Sequence, residues 1–363
     1  MRVLICPLDW GLGHASRMIP VIRILMQEGY EVWIGGAGRS GRMLQNEFPS
    51  LKYIPVPQLP IRYSRLNTQV FSMFFQIPVL LLNYFSERVF IRFFVKKRTP
   101  DVILSDHRYG LFSSKSYSIF VSHQLHVLFP RGFRWAGRIF NILQEHLLHR
   151  YQEVWIPDDK QYLNLSGSLS DMPTQNQRIY ELGVLSRFET CDGTNTNRAL
   201  IYDVLVILSG PEPQRTILEK KLLHQLSRTS LHTLLVRGKS GDSAKISEHI
   251  EIKGLLKSRE LEKAILDSKL VICRSGYSSV MDLVRLNQKA LLIPTPGQTE
   301  QELLAERMKQ KGYFYCKGQR KINIPDDIKT AECYAPPKEN EPEKSEAVVR
   351  SLAKRIKELY SAG

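Results

Sequence analysis

A chain of 363 residues is long enough for two α/β domains with full cores, and 43% hydrophobic against 24% charged residues excludes a disordered chain. The formal net charge of +15 points to an anionic partner, whether nucleic acid, a phospholipid surface or a phosphate-bearing substrate; the alternative is a basic surface that serves solubility alone. The five cysteines (Cys6, Cys191, Cys273, Cys316, Cys333) are scattered, odd in number and without CxxC or Cys/His ligand spacing, which excludes a disulfide framework and points to reduced thiols in a cytoplasmic protein with no metal site.

Met1 to Pro7 reads as a first strand that starts at once, so no signal peptide is expected. Gly11-Leu12-Gly13-His14 reads as a glycine turn opening a helix over Arg17–Glu28, with Gly29 ending it and Tyr30–Gly35 forming the next strand. This βαβ pattern predicts a parallel, doubly wound sheet. The third glycine of a dinucleotide fingerprint is missing, since Ser16 stands there, and no acidic residue closes the second strand to hold a ribose. His14 can act as a general base on a hydroxyl, touch phosphates, or merely hydrogen-bond a loop. Asp9 can cap the helix or orient His14, and Arg17 can meet a phosphate or lie solvated.

Val70 to Phe94 is the most apolar stretch. Pro78 and the charges of Glu87, Arg88 and Arg92 argue against a membrane span, which needs about 20 mainly apolar residues. Two helices are expected, either packed on the sheet or lying at a membrane interface with Arg92, Lys96, Lys97 and Arg98 at phosphate level. Asp101–Asp106 and Ser118–Ser122 read as strands, followed by His107 and His123 respectively. Polar residues at strand C-termini face the crevice of an open α/β sheet, so Asp106 is a candidate base or orienting group, and His107 and His123 are acceptor-side candidates; helix capping is the alternative for each. A basic helical stretch follows from Arg131 to Arg150, then strands at Val154–Asp158 and Tyr180–Val184. The polar segment after it sets a first domain at 1–184 and a linker at 185–199.

Ile201–Ser209 restarts an α/β pattern, and Ser209, Gly210 and Arg215 can receive a phosphate with hydroxyl, amide and guanidinium; Arg215 can equally be an ordinary first-turn residue. Further strands are expected at Leu231–Arg237 and Ile250–Leu256, then a helix at Arg259–Leu266. From Leu270 the chain reads strand, turn (Arg274, Ser275, Gly276), helix (Tyr277–Leu286), strand (Ala290–Ile293), Pro/Gly loop and helix. Gly276 lets the backbone approach a ligand, and the small Ser278 and Ser279 leave the first helix amides uncovered for phosphate. Asp282 lies one to two turns in, where it can accept from ribose hydroxyls, and Glu300 and Gln301 can face a sugar. Residues 322–342 show no packing period, and Ser345–Tyr360 reads as an amphipathic helix capped by Ser345.

The 271–301 block and the Gly-x-Gly-His turn together resemble GT-B glycosyltransferases, in particular MurG-like enzymes and relatives with the glycosyltransferase 28 C-terminal domain. The pattern is carried by Arg274, Ser275, Gly276, Ser279 and Asp282, then Pro294, Glu300 and Gln301. Asp282 replaces a commoner Glu, and Pro296-Gly297-Gln298 replaces a longer polar loop. The resemblance implies an α/β GT-B fold: two Rossmann-like, doubly wound domains facing a crevice, an acceptor domain at 1–184, a donor domain at 200–340, and a C-terminal helix in 341–363 crossing back. It also implies that Gly11 and Gly13 approach the donor, that Tyr277 belongs to the donor turn, and that the loop containing Leu255 holds the base through backbone groups.

The activity it implies is metal-independent and cofactor-free. A sugar moves from a nucleotide-sugar donor, UDP-linked such as UDP-GlcNAc, to a hydroxyl of a glycan or lipid-linked acceptor. His14 or Asp106 serves as the base, and helix amides and arginine stabilise the leaving diphosphate. No Asp-x-Asp motif appears, since Asp158-Asp159 and Asp326-Asp327 are adjacent pairs. MurG-like enzymes use an apolar patch with basic neighbours, so a peripheral position on the inner face of the cytoplasmic membrane, against an anionic surface, is expected. A nucleotide-sugar epimerase of the same architecture is the second reading, though few carboxylates are placed for its acid/base pair. A nucleic-acid binder is a distant third, because the basic residues lack aromatic interleaving, and no nucleic acid is expected as a partner.

Overall fold

The computed structural model describes residues 1–59, 69–126, 134–170, 178–188, 200–239, 243–339 and 343–361. Arg131, Cys191 and the linker residues 189–199 lie outside the described residues. The chain divides into one unit of Met1–Arg62, Val70–Arg187 and Glu341–Gly363 and a second built on Phe188–Asn340.

In the first unit short apolar runs make β1 (Arg2–Pro7), β2 (Glu31–Gly36), β3 (Lys52–Pro55), β4 (Val102–Asp106), β5 (Tyr117–Val121), β6 (Glu153–Ile156) and β7 (Arg178–Glu181). They form a parallel sheet in the order β3-β2-β1-β4-β5-β6-β7. Strands β1 and β4 are buried at nearly every position, as strands covered on both faces must be. The covering helices are α1 (Leu12–Gln27), α2 (Gly38–Glu47), α3 (Gln69–Arg98) and α4 (Arg134–Leu148). Strand order reverses between β1 and β4, and Pro7 pairs with Asp106, which pairs in turn with Val121. An open crevice is therefore expected at the carboxyl ends of these three strands.

The second unit repeats the plan with β8 (Tyr202–Ile207), α5 (Gln214–Leu226), β9 (Thr233–Val236), β10 (Ala244–Ser247), β11 (Ile250–Lys253), α6 (Ser258–Leu266), β12 (Ser268–Cys273), α7 (Tyr277–Arg285), β13 (Ala290–Leu292), α8 (Thr299–Gln310), β14 (Tyr315–Cys316) and α9 (Ile324–Glu332). The sheet order is β10-β11-β9-β8-β12-β13-β14, parallel except for β10 against β11. Its reversal lies between β8 and β12, where Ile207 pairs with Cys273. The loops carrying Gly210 and Gly276 thus leave neighbouring strand ends.

The last helix, α10 (Lys344–Ser361), packs on α1 in the first unit. Tyr30 donates to the Ala353 carbonyl at 2.6 Å, and Arg350 pairs with Glu28 at 2.7 Å.

Four local expectations are corrected. Helix α1 starts at Leu12 rather than Arg17, because the extended Gly11 is already the N-cap residue and the turn read over Gly11–Ser16 is the helix's own first turn. Residues 69–98 form one helix through Pro78, not two. Ser345 is buried inside the first turn of α10 and so does not cap it. The stretch read as lacking a period contains α9, with Ile324, Ile328 and Ala331 buried at i, i+4, i+7 and proline in its first turn.

Candidate active site

The reversal of strand order in the first unit gathers charge. Arg17 is 1% exposed, one turn beyond His14 on α1, and its guanidinium turns under the loop toward Asp106, which is fully buried at the end of β4. Arg17 Nε donates to Asp106 Oδ2 at 3.1 Å and Nη2 donates to Oδ1. The remaining donors reach two imidazoles, with Nη1 2.7 Å from His123 Nδ1 and Nη2 2.8 Å from His14 Nδ1. A guanidinium only donates, so His123 Nδ1 accepts. His14 Nδ1 also lies 3.2 Å from Asp106 Oδ2, between a donor and an acceptor. The two contacts exclude each other: a bare Nδ1 accepts from Arg17 and leaves the proton on Nε2, whereas a proton on Nδ1 gives up the Arg17 hydrogen bond, donates to Asp106 and keeps a lone pair on Nε2.

Burial pulls the His14 pKa below its ordinary value; Asp106 opposes the shift and Arg17 adds to it. His14 is therefore neutral at pH 7, as a base must be before it acts. Burial alone would raise the Asp106 carboxyl, but Arg17 and His14 outweigh it and hold the group well below the usual carboxylate range. Of this dyad, only His14 keeps side-chain exposure, 18% against 0% for Asp106.

His107 stands next to them with φ +57°, a left-handed conformation costly for a side chain with a Cβ. The Ser122 hydroxyl donates to the Gln124 carbonyl, so His107 Nδ1 is the donor in its 2.9 Å contact with Ser122 Oγ. Its ring lies 5.8 Å from that of His14 and 6.4 Å from that of Trp10. Burial first, then the charges of His14 and Arg17, push its pKa down to about 3. His14, Asp106, His107 and His123 are thus brought together, with Arg17 at their centre.

Asp9 does something else. Its Oδ1 accepts from the Ser40 amide at 2.7 Å in the first turn of α2, so it neither caps α1 nor orients His14. A Cβ on Gly38, at φ +53°, would sit 1.7 Å from Asp9 Oδ2, which reserves that position for glycine. Gly11 is different, since a Cβ there would meet nothing within 4 Å. Gly13 lies in the first turn of α1.

The corresponding end of the second sheet is built from backbone. Helix α7 begins at Gly276 with no side-chain cap and no acidic residue in its first turn. A Cβ on Gly276 would find only Ser279 Oγ, at 3.8 Å, so there is open space beside this turn. Tyr277 is buried, Ser278 and Ser279 are half-buried, and Asp282 is 6% exposed near Cys273, whose thiol burial pushes up to about 12 with Asp282 adding to the shift. Ser209 and Gly210 are exposed at the end of β8, and Leu255 is exposed after β11.

Other residues of this block face inward. Arg274 donates to the carbonyls of Gln214 (2.9 Å), Pro294 (3.2 Å) and Ile293 (3.3 Å), and burial lowers its pKa to about 10. Ser275 donates to the Gln301 carbonyl at 2.8 Å, and Gln301 Oε1 accepts from the Thr295 amide at 2.9 Å. Arg215 is buried between Glu212 and Glu219, at 2.8 and 3.0 Å. These four hold the loops in place. Glu300 is half-buried in the first turn of α8.

Sequence reasoning left Arg17 between phosphate ligand and solvated residue. The available signal was its position three residues after His14, which puts both on one helix face once the helix is started at Leu12. Among the described residues, no group of three or more His, Cys, Asp or Glu side chains is arranged to hold a metal ion.

Residues 204–359 match the glycosyltransferase family 28 C-terminal domain. An uncharacterized glycosyltransferase of Methanosarcina acetivorans is 22% identical over 86% of this chain and 84% of its own length. Among solved structures, MurG of Acinetobacter baumannii superposes with a TM-score of 0.52 at 13% identity, covering 98% of this chain and 99% of its own. The spinosyn rhamnosyltransferase SpnG complexed with thymidine diphosphate gives 0.58 at 14% identity, covering 99% and 96%. The fold is GT-B, with two Rossmann-like units. The protein is a glycosyltransferase of the GT-B type.

Proposed function

We propose that the chain moves a sugar from a nucleotide-sugar donor, a UDP-linked sugar such as UDP-GlcNAc in the first instance, to an acceptor hydroxyl. His14 takes the hydroxyl proton on Nε2, and Asp106 stabilises the imidazolium that forms. The observation that carries this is the position of His14 Nδ1, 3.2 Å from a buried, ionised Asp106, on the one side chain of the pair that keeps exposure. The donor side belongs to 200–340. There the uncapped start of α7 with Ser278 and Ser279, together with Ser209 and Gly210, receives the diphosphate. Asp282 takes the ribose, Glu300 faces the sugar, and the loop at Leu255 faces the base. Arg215, Arg274, Ser275 and Gln301 act through the loops they hold. The acceptor side belongs to 1–184, with His107 and His123 flanking the base.

A glycan or lipid-linked acceptor at an anionic membrane surface fits one further feature. Leu81, Phe85, Val89 and Phe93 recur every four residues along α3 and are all about half or more exposed, with Arg92 and Lys96 on the same side. Among the described residues no helix is long and apolar enough to cross a membrane.

The test is a thermal-shift panel of UDP, GDP, TDP and UDP-GlcNAc on wild type, Asp282→Ala and His14→Ala. A nucleotide at a hundred times its Kd adds about 2.7 kcal/mol of stability. The expected result is a rise with one nucleotide that Asp282→Ala loses and His14→Ala keeps, while His14→Ala loses roughly 10²–10⁴-fold in transfer. Folded protein that responds to none of the nucleotides would refute the donor assignment.

A further inference from the structure

Residue 107 takes its left-handed conformation because both of its neighbours are tied down. Before it, the Asp106 carbonyl accepts from the Leu8 amide at 3.1 Å, and the His107 amide itself donates to the Val121 carbonyl at 3.0 Å. After it, the Arg108 carbonyl accepts from the hydroxyls of Ser105 (2.5 Å) and Tyr151 (2.9 Å). The Arg108 guanidinium is buried too, donating to Glu87 Oε1 at 2.8 Å and to the Pro57 carbonyl at 2.7 Å. A side chain with a Cβ stays left-handed only where its surroundings over-determine it.

Glu87 brings α3 into this hold. It is 4% exposed, and its second oxygen accepts from the Gly110 amide at 3.0 Å. A Cβ on Gly110 would stand 2.6 Å from Glu87 Cβ and 2.7 Å from the Tyr84 carbonyl oxygen, so loop and helix touch backbone to backbone. Arg88 continues the seam, donating to the carbonyls of Gly110 (3.1 Å) and Phe112, with its guanidinium 3.6 Å from the centre of the Phe112 ring. A buried ion pair adds little net stability, because desolvation offsets the attraction.

We propose that Glu87 is a positioning residue for the transfer reaction: through the Arg108 side chain and the Gly110 amide it holds His107 left-handed, with its ring beside His14. Glu87 acts through these contacts rather than on a substrate. Its contribution is a fixed direction for the chain between β4 and Phe112, and the imidazole follows the chain. The acceptor-side role of His107 is taken from the function proposed above, whereas the hold on its backbone is independent of that role.

Imidazole NMR of the full chain tests it, with the His107 signals assigned by their loss in His107→Asn. In wild type the ring should carry its proton on Nδ1, toward Ser122, and stay neutral down to about pH 4.5. Glu87→Met with Arg108→Met removes both charges together, so no buried charge is left alone. In that variant His107 should protonate about one unit or more higher, with His14, Arg17, Tyr109, Asp106 and His123 unaltered around it. Gly110→Ala, which pushes the loop off α3 without altering any charge, should shift it in the same direction. Leu222→Ala, a core change in the second unit, lowers stability and should leave the ring as it is. UDP release from UDP-GlcNAc should fall by up to roughly 10²-fold in the first two variants, with the UDP thermal shift kept. An unchanged His107 ring in both would overturn the hold, and a changed ring with unchanged turnover would overturn its part in the reaction. The ring signals are read without substrate, so failure of the donor assignment, seen in the UDP thermal shift, is told apart from failure here.

Discussion

Arg17 in the first unit and Arg274 in the second are equally buried, each 1% exposed, and each sits at the carboxyl edge of a parallel sheet. Their partners differ in kind. Arg17 is neutralised by a carboxylate and spends its remaining donors on two imidazoles, so its charge is felt by groups that can exchange protons. Arg274 faces three carbonyl oxygens and no carboxylate among its described hydrogen bonds, so it staples loops. The first unit thus surrounds a buried guanidinium with a carboxylate and imidazoles, and the second holds one among main-chain carbonyls.

The comparison can be broken most sharply at Asp106. Asp106→Asn leaves the Arg17 guanidinium buried without its counter-charge, and a loss of about 3–5 kcal/mol is expected in urea melts. Transfer should fall with it even under conditions where the variant remains folded. If stability is unchanged, the charge balance described for this cluster is wrong.

Arg274→Met comes next. It removes the donor from three carbonyls while roughly filling the space, and about 2–4 kcal/mol is the expected cost. The nucleotide-induced thermal shift should shrink as the α7 turn loosens, whereas the His14 cluster, in the other unit, should keep its acid–base behaviour.

The pH dependence, the most gradual of the three effects at any one pH step, sharpens the contrast. An unfolded histidine titrates near 6.5, whereas His107 in the fold titrates at about 3. As pH falls below 6.5 the unfolded chain binds the proton first, so this contribution to stability is complete above pH 7 and declines between 6.5 and 3. The slope is at most about 1.4 kcal/mol per pH unit for each such histidine. Asp106 acts in a lower window. Its folded pKa lies below the unfolded value near 3.9, so its contribution persists above about pH 5 and is lost on further acidification. His107→Asn tolerates the left-handed backbone and should flatten the curve between pH 6.5 and 4.5. An unchanged curve there would show that His107 is not the titrating group.

What the sequence revealed and concealed follows from where each signal lies. Strands β1, β4, β8 and β12 are buried apolar runs flanked by glycine turns, and a period of that kind survives any context. Strand β10 is exposed at all four positions and pairs on the sheet edge, so no apolar pattern announces it. Helix α3 runs through Pro78 because a proline costs one hydrogen bond and a local clash, about 3 kcal/mol, which a helix of 30 residues absorbs. The site was legible as residue types at strand ends: His14, Asp106, His107 and His123 were visible as candidates. The partners of Arg17 and Arg274 were not. Whether Arg17 or Arg274 meets a phosphate, a carboxylate or a carbonyl depends on loops brought together from 19 to 106 residues away, and local pattern carries no trace of that, whereas Arg215 finds Glu212 and Glu219 three and four residues away, a pairing the local sequence does carry. The Asp9 contact with Ser40 is of the same kind.

The attachment of α10 to the first unit has a consequence for the order of synthesis. Strands β1 to β7 leave the ribosome well before Lys344, yet α10 supplies hydrogen-bond partners to Tyr30, Glu28 and Asp101. At roughly 5–20 residues per second, the 157 residues from Arg187 to Lys344 take on the order of ten to thirty seconds to emerge. During that interval the nascent first sheet has one flank of α1 open, and the second unit folds as though inserted into a domain still waiting for its last helix.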